Sequence, residues 1–236
     1  MSGGVEKFYD DFVQRQINNG VNHRHLSIQR ILEEYGLNPN SKILEIGAGI
    51  GTQTELTALF LKRDSKIVAN DISSKSIEVA KSRLEKFKNI HYVTGDIIDI
   101  DLEEKFNCIL LPDVLEHIPF ETHENLFKKL DNLLLDDGFM LIHIPDPNYL
   151  NWVRKNHPEQ LQIIDQSLYP SWIHQCCKDT SLYISSFKAY SIYKIPEDYN
   201  FYILKKKSTD YSSNSKVPED GFLRRLNRAI KKIFRK

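Results

Sequence analysis

Three glycines at alternate positions, Gly47, Gly49 and Gly51, are the residues of this sequence most clearly spaced for chemistry. Glycine adopts backbone angles that are closed to other residues and lets a ligand lie against the main chain. The free N–H groups of a following helix can then point at that ligand. An ordinary tight turn needs one glycine rather than three. The spacing therefore predicts a cradle for a nucleotide-like ligand.

Glu45, two residues before the first glycine, restricts the ligand that this cradle can take. The dinucleotide fingerprint G-x-G-x-x-G binds a pyrophosphate and gives no reason for a carboxylate inside the loop. Here the spacing is Glu-x-Gly-x-Gly-x-Gly, so an anion would meet a carboxylate at close range. We therefore expect the nearest end of the ligand to be cationic.

The stretch from Lys42 to Thr52 resembles the first motif of the class I S-adenosylmethionine-dependent methyltransferases. In that family the acidic residue and the glycine loop hold the methionine part of the cofactor. The resemblance implies S-adenosyl-L-methionine as the cofactor and methyl transfer as the reaction. The cofactor-binding residues that it implies, with weaker motifs further along included, are Glu45, Gly47, Ala48, Gly49, Gly51, Thr52, Asp71, Ile72, Asp96, Ile97 and Pro112.

Two aspartates beyond the loop have alternative explanations. Asp71 lies about twenty residues past the loop, where an acid can accept hydrogen bonds from both ribose hydroxyls of a nucleotide. It could instead be the N-cap of the next helix, and an NAD site would use the same acid. Asp96 follows a predicted strand and could belong to a simple turn. The resemblance implies that Asp96 reaches the adenine amino group and that Ile97 flanks the ring.

The run Pro112-Asp113-Val114-Leu115-Glu116-His117 resembles the fourth motif of the same family, which ends a strand beside the transferred methyl group. Asp113, His117 and His143 are the candidate catalytic residues, and either histidine could be the general base because imidazole titrates near working pH. In a helical turn Asp113, Glu116 and His117 would share one face, which also allows a metal site. We expect framework groups without a metal there.

These residues fall where predicted strands end. Apolar runs predict strands at 43–46, 66–69, 90–93, 107–111 and 139–144, with helices between them and a helix over 121–135 that Asp136-Asp137-Gly138 terminates. Short links imply right-handed crossovers and an α/β, Rossmann-like, doubly wound sheet. Residues 182–195 and 200–207 predict a terminal antiparallel hairpin, which gives about seven strands. Residues 145–170 are too irregular for one helix and are either a substrate wall or a packed surface loop.

The predicted organisation has four parts: an N-terminal helical cap (1–40), the methyltransferase domain (41–207), a flexible linker (208–220) and a basic amphipathic helix (221–236). The last part carries seven of the 32 Lys and Arg and no acidic residue, which leaves 25 basic against 32 acidic groups before it. A body with a net charge of −7 argues against a large nucleic-acid footprint.

At 100° per residue, the apolar and the basic side chains of residues 221–236 fall on opposite faces of a helix. Such a helix predicts an anionic membrane surface as partner. The chain has no signal-like start and no spanning apolar run, so we expect a cytoplasmic, peripheral membrane enzyme that acts on a small-molecule or glycan substrate. Two other classes stay open: an NAD-dependent oxidoreductase, although G-x-G-x-x-G is absent, and a non-catalytic cofactor-binding module.

Overall fold

The computed structural model describes residues 13, 16–193 and 195–207. The second predicted N-terminal helix lies within these residues. Most of the first predicted helix, the linker and the basic amphipathic helix lie outside them. No helix in the described ranges is long and apolar enough to cross a membrane.

A single seven-stranded sheet forms the centre of the fold, as predicted. Its strands are β1 (Lys42–Ile46), β2 (Lys66–Asp71), β3 (Ile90–Thr94), β4 (Phe106–Pro112), β5 (Leu134–Pro145), β6 (Leu182–Tyr190) and β7 (Tyr199–Lys206). The order across the sheet is β3-β2-β1-β4-β5-β7-β6. The first five strands are parallel, and β7 is antiparallel to both β5 and β6.

Helices cover both faces of the sheet, so strands such as β1, β2 and β4 are buried at nearly every position rather than at alternate ones. The helices are α1 (His23–Glu34), α2 (Thr52–Phe60), α3 (Ser74–Arg83), α4 (His123–Leu133), α5 (Pro147–Asn156) and α6 (Pro170–Cys176), with short 3-10 turns at Leu115–His117, Phe120–Thr122 and Pro158–Gln160. On β4, Ile109 and Leu111 pack with α4 and α6. Leu110 faces the opposite core, which contains the apolar residues of α1 and α2.

Helix α1 covers the sheet through two fully buried side chains, Ile28 and Leu32. Its start is fixed by a capping box: the Asn22 side chain accepts from the main-chain N–H groups of Arg24 and His25, and the His25 ring accepts from Asn22. Reciprocal capping satisfies N–H groups that the helix cannot. This fixed start determines where Arg24 points.

One sequence expectation about the second half is wrong in detail, and a second is refined. Helix α4 ends at Leu133 rather than at residue 135, because Leu134 already pairs with Phe106 of β4. Asp136-Asp137-Gly138 is therefore an irregularity within β5 and not a helix stop. In the segment 145–170, residues 147–156 form a regular helix that Pro147 begins and the Asp146 carboxylate caps. Proline suits this first position because its missing N–H would have no helical partner.

Candidate cofactor and acceptor site

The glycine loop lies at the carboxyl end of β1, between β2 and β4, where the strand order reverses. Ligands of open α/β sheets bind at such switch points. All three glycines have left-handed backbone angles, with φ of 76° at Gly47, 54° at Gly49 and 79° at Gly51. A Cβ at Gly47 would lie 2.8 Å from a methyl carbon of Val114, and one at Gly51 would lie 2.7 Å from Leu84. Neither position can carry a side chain without movement of its neighbours.

Asp71 ties the loop to β2. One carboxylate oxygen accepts from the N–H of Gly49 at 2.7 Å, and the other accepts from the N–H of Ser73 at 2.9 Å. The N-cap of α3 is Ser73, whose hydroxyl accepts from Ser76. Asp71 is therefore not the helix cap that the sequence allowed. Its contact with ribose stays a prediction.

Glu45 is 1% exposed, and both of its carboxylate oxygens lack a partner in hydrogen-bond geometry within the described residues. Burial raises the pKa of Glu45 to about 8, opposed by the nearby Thr54 hydroxyl. A buried carboxyl group without a partner is costly unless a ligand supplies one. The side-chain amide oxygen of Gln16 is also buried without a partner, and Gln16 lies directly over Gly49. These groups fit the ammonium end of S-adenosylmethionine.

The other predicted cofactor residues lie along the same edge of the sheet. Ala48 and Thr52 are buried beside the loop, and Ile97 is buried in the core. Ile72 and Pro112 are half-buried at the ends of β2 and β4. Asp96 is exposed, and its carboxylate accepts from the N–H of Ile98 at 2.9 Å. Their proposed contacts with the cofactor stay predictions.

Asp113 is held in an unusual backbone conformation at the end of β4, with φ of 53°. Its N–H donates to the main-chain carbonyl of His143 at 2.8 Å. One carboxylate oxygen forms an ion pair with Arg24 of α1, and the other bonds to Nδ1 of His143 at 2.8 Å. Burial disfavours the charged form, but Arg24 and His143 outweigh it and hold the pKa of Asp113 below its usual value.

His143 is completely buried behind Asp113. Its Nε2 lies 2.7 Å from the hydroxyl of Tyr190, and its ring stacks on Tyr199 with centroids 4.9 Å apart. The network accommodates a tautomer in which Nδ1 donates to Asp113 and Nε2 accepts from Tyr190. Both nitrogens are thus engaged, so the geometry favours His143 as the group that positions Asp113.

His117 lies on the other side of the turn and holds the segment 161–167. Its Nδ1 donates to the carbonyl of Ile164 at 2.6 Å, and its Nε2 lies 3.0 Å from the side-chain amide nitrogen of Gln162. Glu116 is 2% exposed, and one of its oxygens lacks a hydrogen-bond partner in the described part of the chain. Burial, with Asp113 nearby, raises the pKa of Glu116 well above its usual value.

The structure thus separates the residues that could have formed a metal site. Asp113 contacts Arg24 and His143, whereas the ring of His117 contacts the 161–167 segment. Within the described ranges, no group of three or more His, Cys, Asp or Glu side chains is placed to hold a metal ion.

Four side chains of the site were not predicted from the sequence: Gln16 over the glycine loop, and Arg24, Tyr190 and Tyr199 around Asp113 and His143. Arg24 lies in the run Asn22-His23-Arg24-His25, which contains none of the predicted site residues. The available signal was an arginine at the start of a helix that precedes the sheet. The two tyrosines come from β6 and β7, which carry no motif.

The sheet order, the terminal hairpin and the glycine loop define the class I methyltransferase fold. A family model described as "Methyltransferase domain" matches residues 43–138. The match covers less than half of the chain and supports the class predicted from the sequence, the S-adenosylmethionine-dependent methyltransferases, with S-adenosylmethionine as the cofactor. This assignment does not support the NAD-dependent alternative.

The names of two curated relatives describe different activities. The chain is 26% identical over 208 residues to the ribosomal RNA small subunit methyltransferase A of Borreliella burgdorferi, covering 87% of this chain and 66% of that protein. It is 31% identical over 149 residues to a highly reducing polyketide synthase of Gibberella fujikuroi, covering 58% of this chain and 6% of that protein. The chain thus spans less than two thirds of the length of these relatives.

Among solved structures, the magnesium protoporphyrin IX methyltransferase of Synechocystis with bound S-adenosylhomocysteine superposes with a TM-score of 0.63 and 19% identity. The match covers 83% of this chain and 87% of the other. At that identity the likeness establishes the fold and leaves the acceptor open.

Proposed function

We propose that this chain is an O-methyltransferase that transfers the methyl group of S-adenosylmethionine to a hydroxyl of a small molecule or glycan. The observation that carries the proposal is the Asp113–His143 pair at the carboxyl edge of the sheet. It joins an ionised carboxylate to a buried imidazole at 2.8 Å. Val114, the next residue, packs against Gly47 of the cradle, so the pair adjoins the cofactor loop.

When bound, S-adenosylmethionine supplies a methyl group that is already activated, so the protein mainly positions the acceptor and accepts its proton. Asp113 accepts a hydrogen bond from the acceptor hydroxyl and then its proton. His143 and Arg24 hold the carboxylate in place, and Tyr190 fixes the tautomer of His143. His117 stays a candidate base, although both of its ring nitrogens face the 161–167 segment.

The test is methyl transfer from labelled cofactor to hydroxyl-bearing acceptors. We expect Asp113→Asn to lower kcat by at least about 100-fold, a loss typical of general acid–base groups. Binding of S-adenosylhomocysteine should persist. Asp64→Asn, the same change at an exposed aspartate between α2 and β2, is the matched control and should leave kcat unchanged. A rate within twofold of wild type in Asp113→Asn would contradict the proposal.

RNA is the second candidate substrate, because the similarity to a ribosomal RNA methyltransferase extends over 87% of the chain. The acidic body does not favour it, since phosphate contacts need clustered Lys and Arg. Incubation of the full chain with labelled cofactor and small-subunit ribosomal RNA tests it directly. Label in the RNA and none in hydroxyl-bearing small molecules would replace the O-methyltransferase proposal.

We also propose that residues 221–236 tether the enzyme to an anionic membrane surface through the linker at 208–220. The support is the sequence pattern alone, in which all seven basic residues oppose the apolar face. Each basic residue near an anionic leaflet adds about 1 kcal/mol. The full chain should co-sediment with anionic vesicles at low salt, and a chain ending at Ser208 should not. Equal sedimentation of the two would remove the tether and the main reason for a membrane-associated acceptor.

A further inference from the structure

A cleft of about 460 Å³ lies between the first turns of α5 and the connection from β6 to β7. This volume is within the range of about 300–1,000 Å³ that small-ligand pockets occupy. Tyr149 and Trp152 line one side, and Ile195, Pro196 and Glu197 line the other. The sequence predicted either a substrate wall or a packed surface loop for residues 145–170. In the structure, part of this segment lines a cleft of ligand size.

Two stacked aromatic rings form one side of the cleft. The rings of Tyr149 and Trp152 are nearly parallel, at 16°, with centroids 6.1 Å apart. Trp152 is 49% exposed although it is among the largest apolar side chains of the chain. Exposed aromatic faces carry negative electrostatic potential and attract cations.

The charged groups of the described cleft lining are negative, like the electrostatic potential at the aromatic faces. Asp146 and Glu197 are the charged residues among the described lining, and neither is basic. Asp146 is partly committed, because it caps α5 and accepts from the side-chain amide of Asn200. Glu197 is exposed and is held at φ of 53°, a conformation unusual for a residue with a side chain. Its carboxylate is the charge best placed for a ligand.

The cleft adjoins the acceptor side of the site. The ring of Tyr193 contacts that of Tyr199, with centroids 6.1 Å apart, and Tyr199 stacks on His143. Burial raises the pKa of Tyr193, Arg24 lowers it, and further contributions come from Asp113, Asp198 and Tyr149. Tyr193 thus joins the ring that stacks on His143 to the connection that lines the cleft, since Ile195 follows two residues later.

We propose that this cleft is a subsite for an ammonium-bearing part of the acceptor, held by the faces of Tyr149 and Trp152 and by the carboxylate of Glu197. The assignment to the acceptor rests on the proposed methyltransferase function. A neutral sugar would also use an aromatic face, but Asp146 and Glu197, the charged residues of the described lining, favour a positive charge.

Choline and its neutral isostere 3,3-dimethylbutan-1-ol are the probes, because they differ in charge and hardly in shape. The chain has two tryptophans, so Trp172→Phe leaves Trp152 as the sole reporter of fluorescence. We expect saturable quenching by choline and none by the isostere at equal concentration. Glu197→Gln should weaken choline binding about threefold. Glu78→Gln, the same change at an exposed position of α3, should leave it unaltered.

Equilibrium dialysis of labelled choline with the wild-type chain measures the same binding without the Trp172→Phe change. In this assay Trp152→Leu should weaken choline binding about fivefold. Three binding results would each overturn the subsite: no binding of choline, equal binding of choline and the isostere, and binding of methyl glucoside in place of choline. Unchanged choline affinity in both variants would overturn it as well. These titrations contain no cofactor. Choline binding without methyl transfer to any acceptor would keep the cation site and refute the proposed function instead.

Discussion

The cofactor cradle and the acceptor side of this protein lie next to each other but are built differently. Apart from Gln16, the cradle comes from one stretch of chain, residues 45–73, and uses mainly backbone: three left-handed glycines and the N–H groups of Gly49 and Ser73, which donate to Asp71. The acceptor side is assembled from side chains of α1, the turn after β4, β5 and the terminal hairpin. Arg24, Asp113, His143 and Tyr190 are far apart in sequence and form one connected network.

This difference explains which region can vary. A cradle made of backbone tolerates few substitutions, since each glycine is required by its φ and by its neighbours. A wall made of side chains can change one residue at a time and still fold. We therefore expect damage to the cradle to remove cofactor binding, and damage to the acceptor side to leave cofactor binding while changing rate and pH dependence.

Gly49→Arg should have the largest effect. The new side chain starts at φ of 54°, with its Cβ 2.6 Å from the Gln16 amide, and fills the cradle. Calorimetric titration should detect no binding of S-adenosylhomocysteine. Gly20→Arg is the matched control, because Gly20 has φ of 52° and nothing within 4 Å of a Cβ. The control should lose about 1 kcal/mol of stability from backbone strain and keep its affinity. Wild-type affinity in Gly49→Arg would show that the ligand does not lie against this glycine.

Asp71→Ala should come second. It removes the acceptor of two main-chain N–H groups, and hydrogen bonds to a charged group contribute about 1.5–3 kcal/mol each. We expect at least a tenfold loss of S-adenosylhomocysteine affinity by calorimetry. Ser73→Ala removes the cap of α3 next to Asp71 and should cost about 1 kcal/mol of stability with little change in binding. If the two variants lost affinity equally, the loop would depend on the position of α3 rather than on Asp71.

The sequence predicted the cradle better than the acceptor side for the same reason. Gly47, Gly49 and Gly51 leave a signature in sequence because backbone geometry restricts residue type locally. The sheet order followed from strand periodicity and crossover rules. The ion pair of Arg24 with Asp113 could not be predicted, since it depends on how α1 packs over β4 and β5. The start of β5 at Leu134 was missed because pairing with Phe106 overrides a local Asp-Asp-Gly stop signal.

Arg24→Ala should have an intermediate effect and tests whether the two regions are separable. Arg24 helps to keep the pKa of Asp113 low, so its removal raises that pKa. A carboxylate with a depressed pKa stabilises the folded state above its unfolded pKa, and this stabilisation is lost as pH falls. The acidic limb of the kcat–pH profile and the acid unfolding midpoint should therefore both move to higher pH. Arg63→Ala, at an exposed position between α2 and β2, should move neither. Loss of cofactor binding in Arg24→Ala would mean that α1 is part of the cradle.

The smallest expected effect is a proton released from Glu45 when the cofactor product binds. The pKa of Glu45 is raised to about 8, chiefly by burial, so the group is mostly neutral at pH 7. The ammonium of S-adenosylhomocysteine favours the ionised form and lowers this pKa on binding. Release should reach ~0.9 proton at pH 7 and fall to ~0.5 at pH 8, following the fraction of neutral Glu45 before binding.

Calorimetry at pH 7 in buffers of different ionisation enthalpy measures this proton release. Glu45→Gln should abolish it, and Glu55→Gln, at a partly exposed position of α2, should preserve it. The raised pKa also has a stability consequence: an acid whose folded pKa exceeds the unfolded value costs stability increasingly as pH rises from about 4.5 to 8. Glu45→Gln should remove that cost and flatten the stability profile over this range. Equal proton release by wild type and Glu45→Gln would assign the proton to another group. Glu45 would then no longer identify the part of the cradle that faces the ammonium end of the ligand.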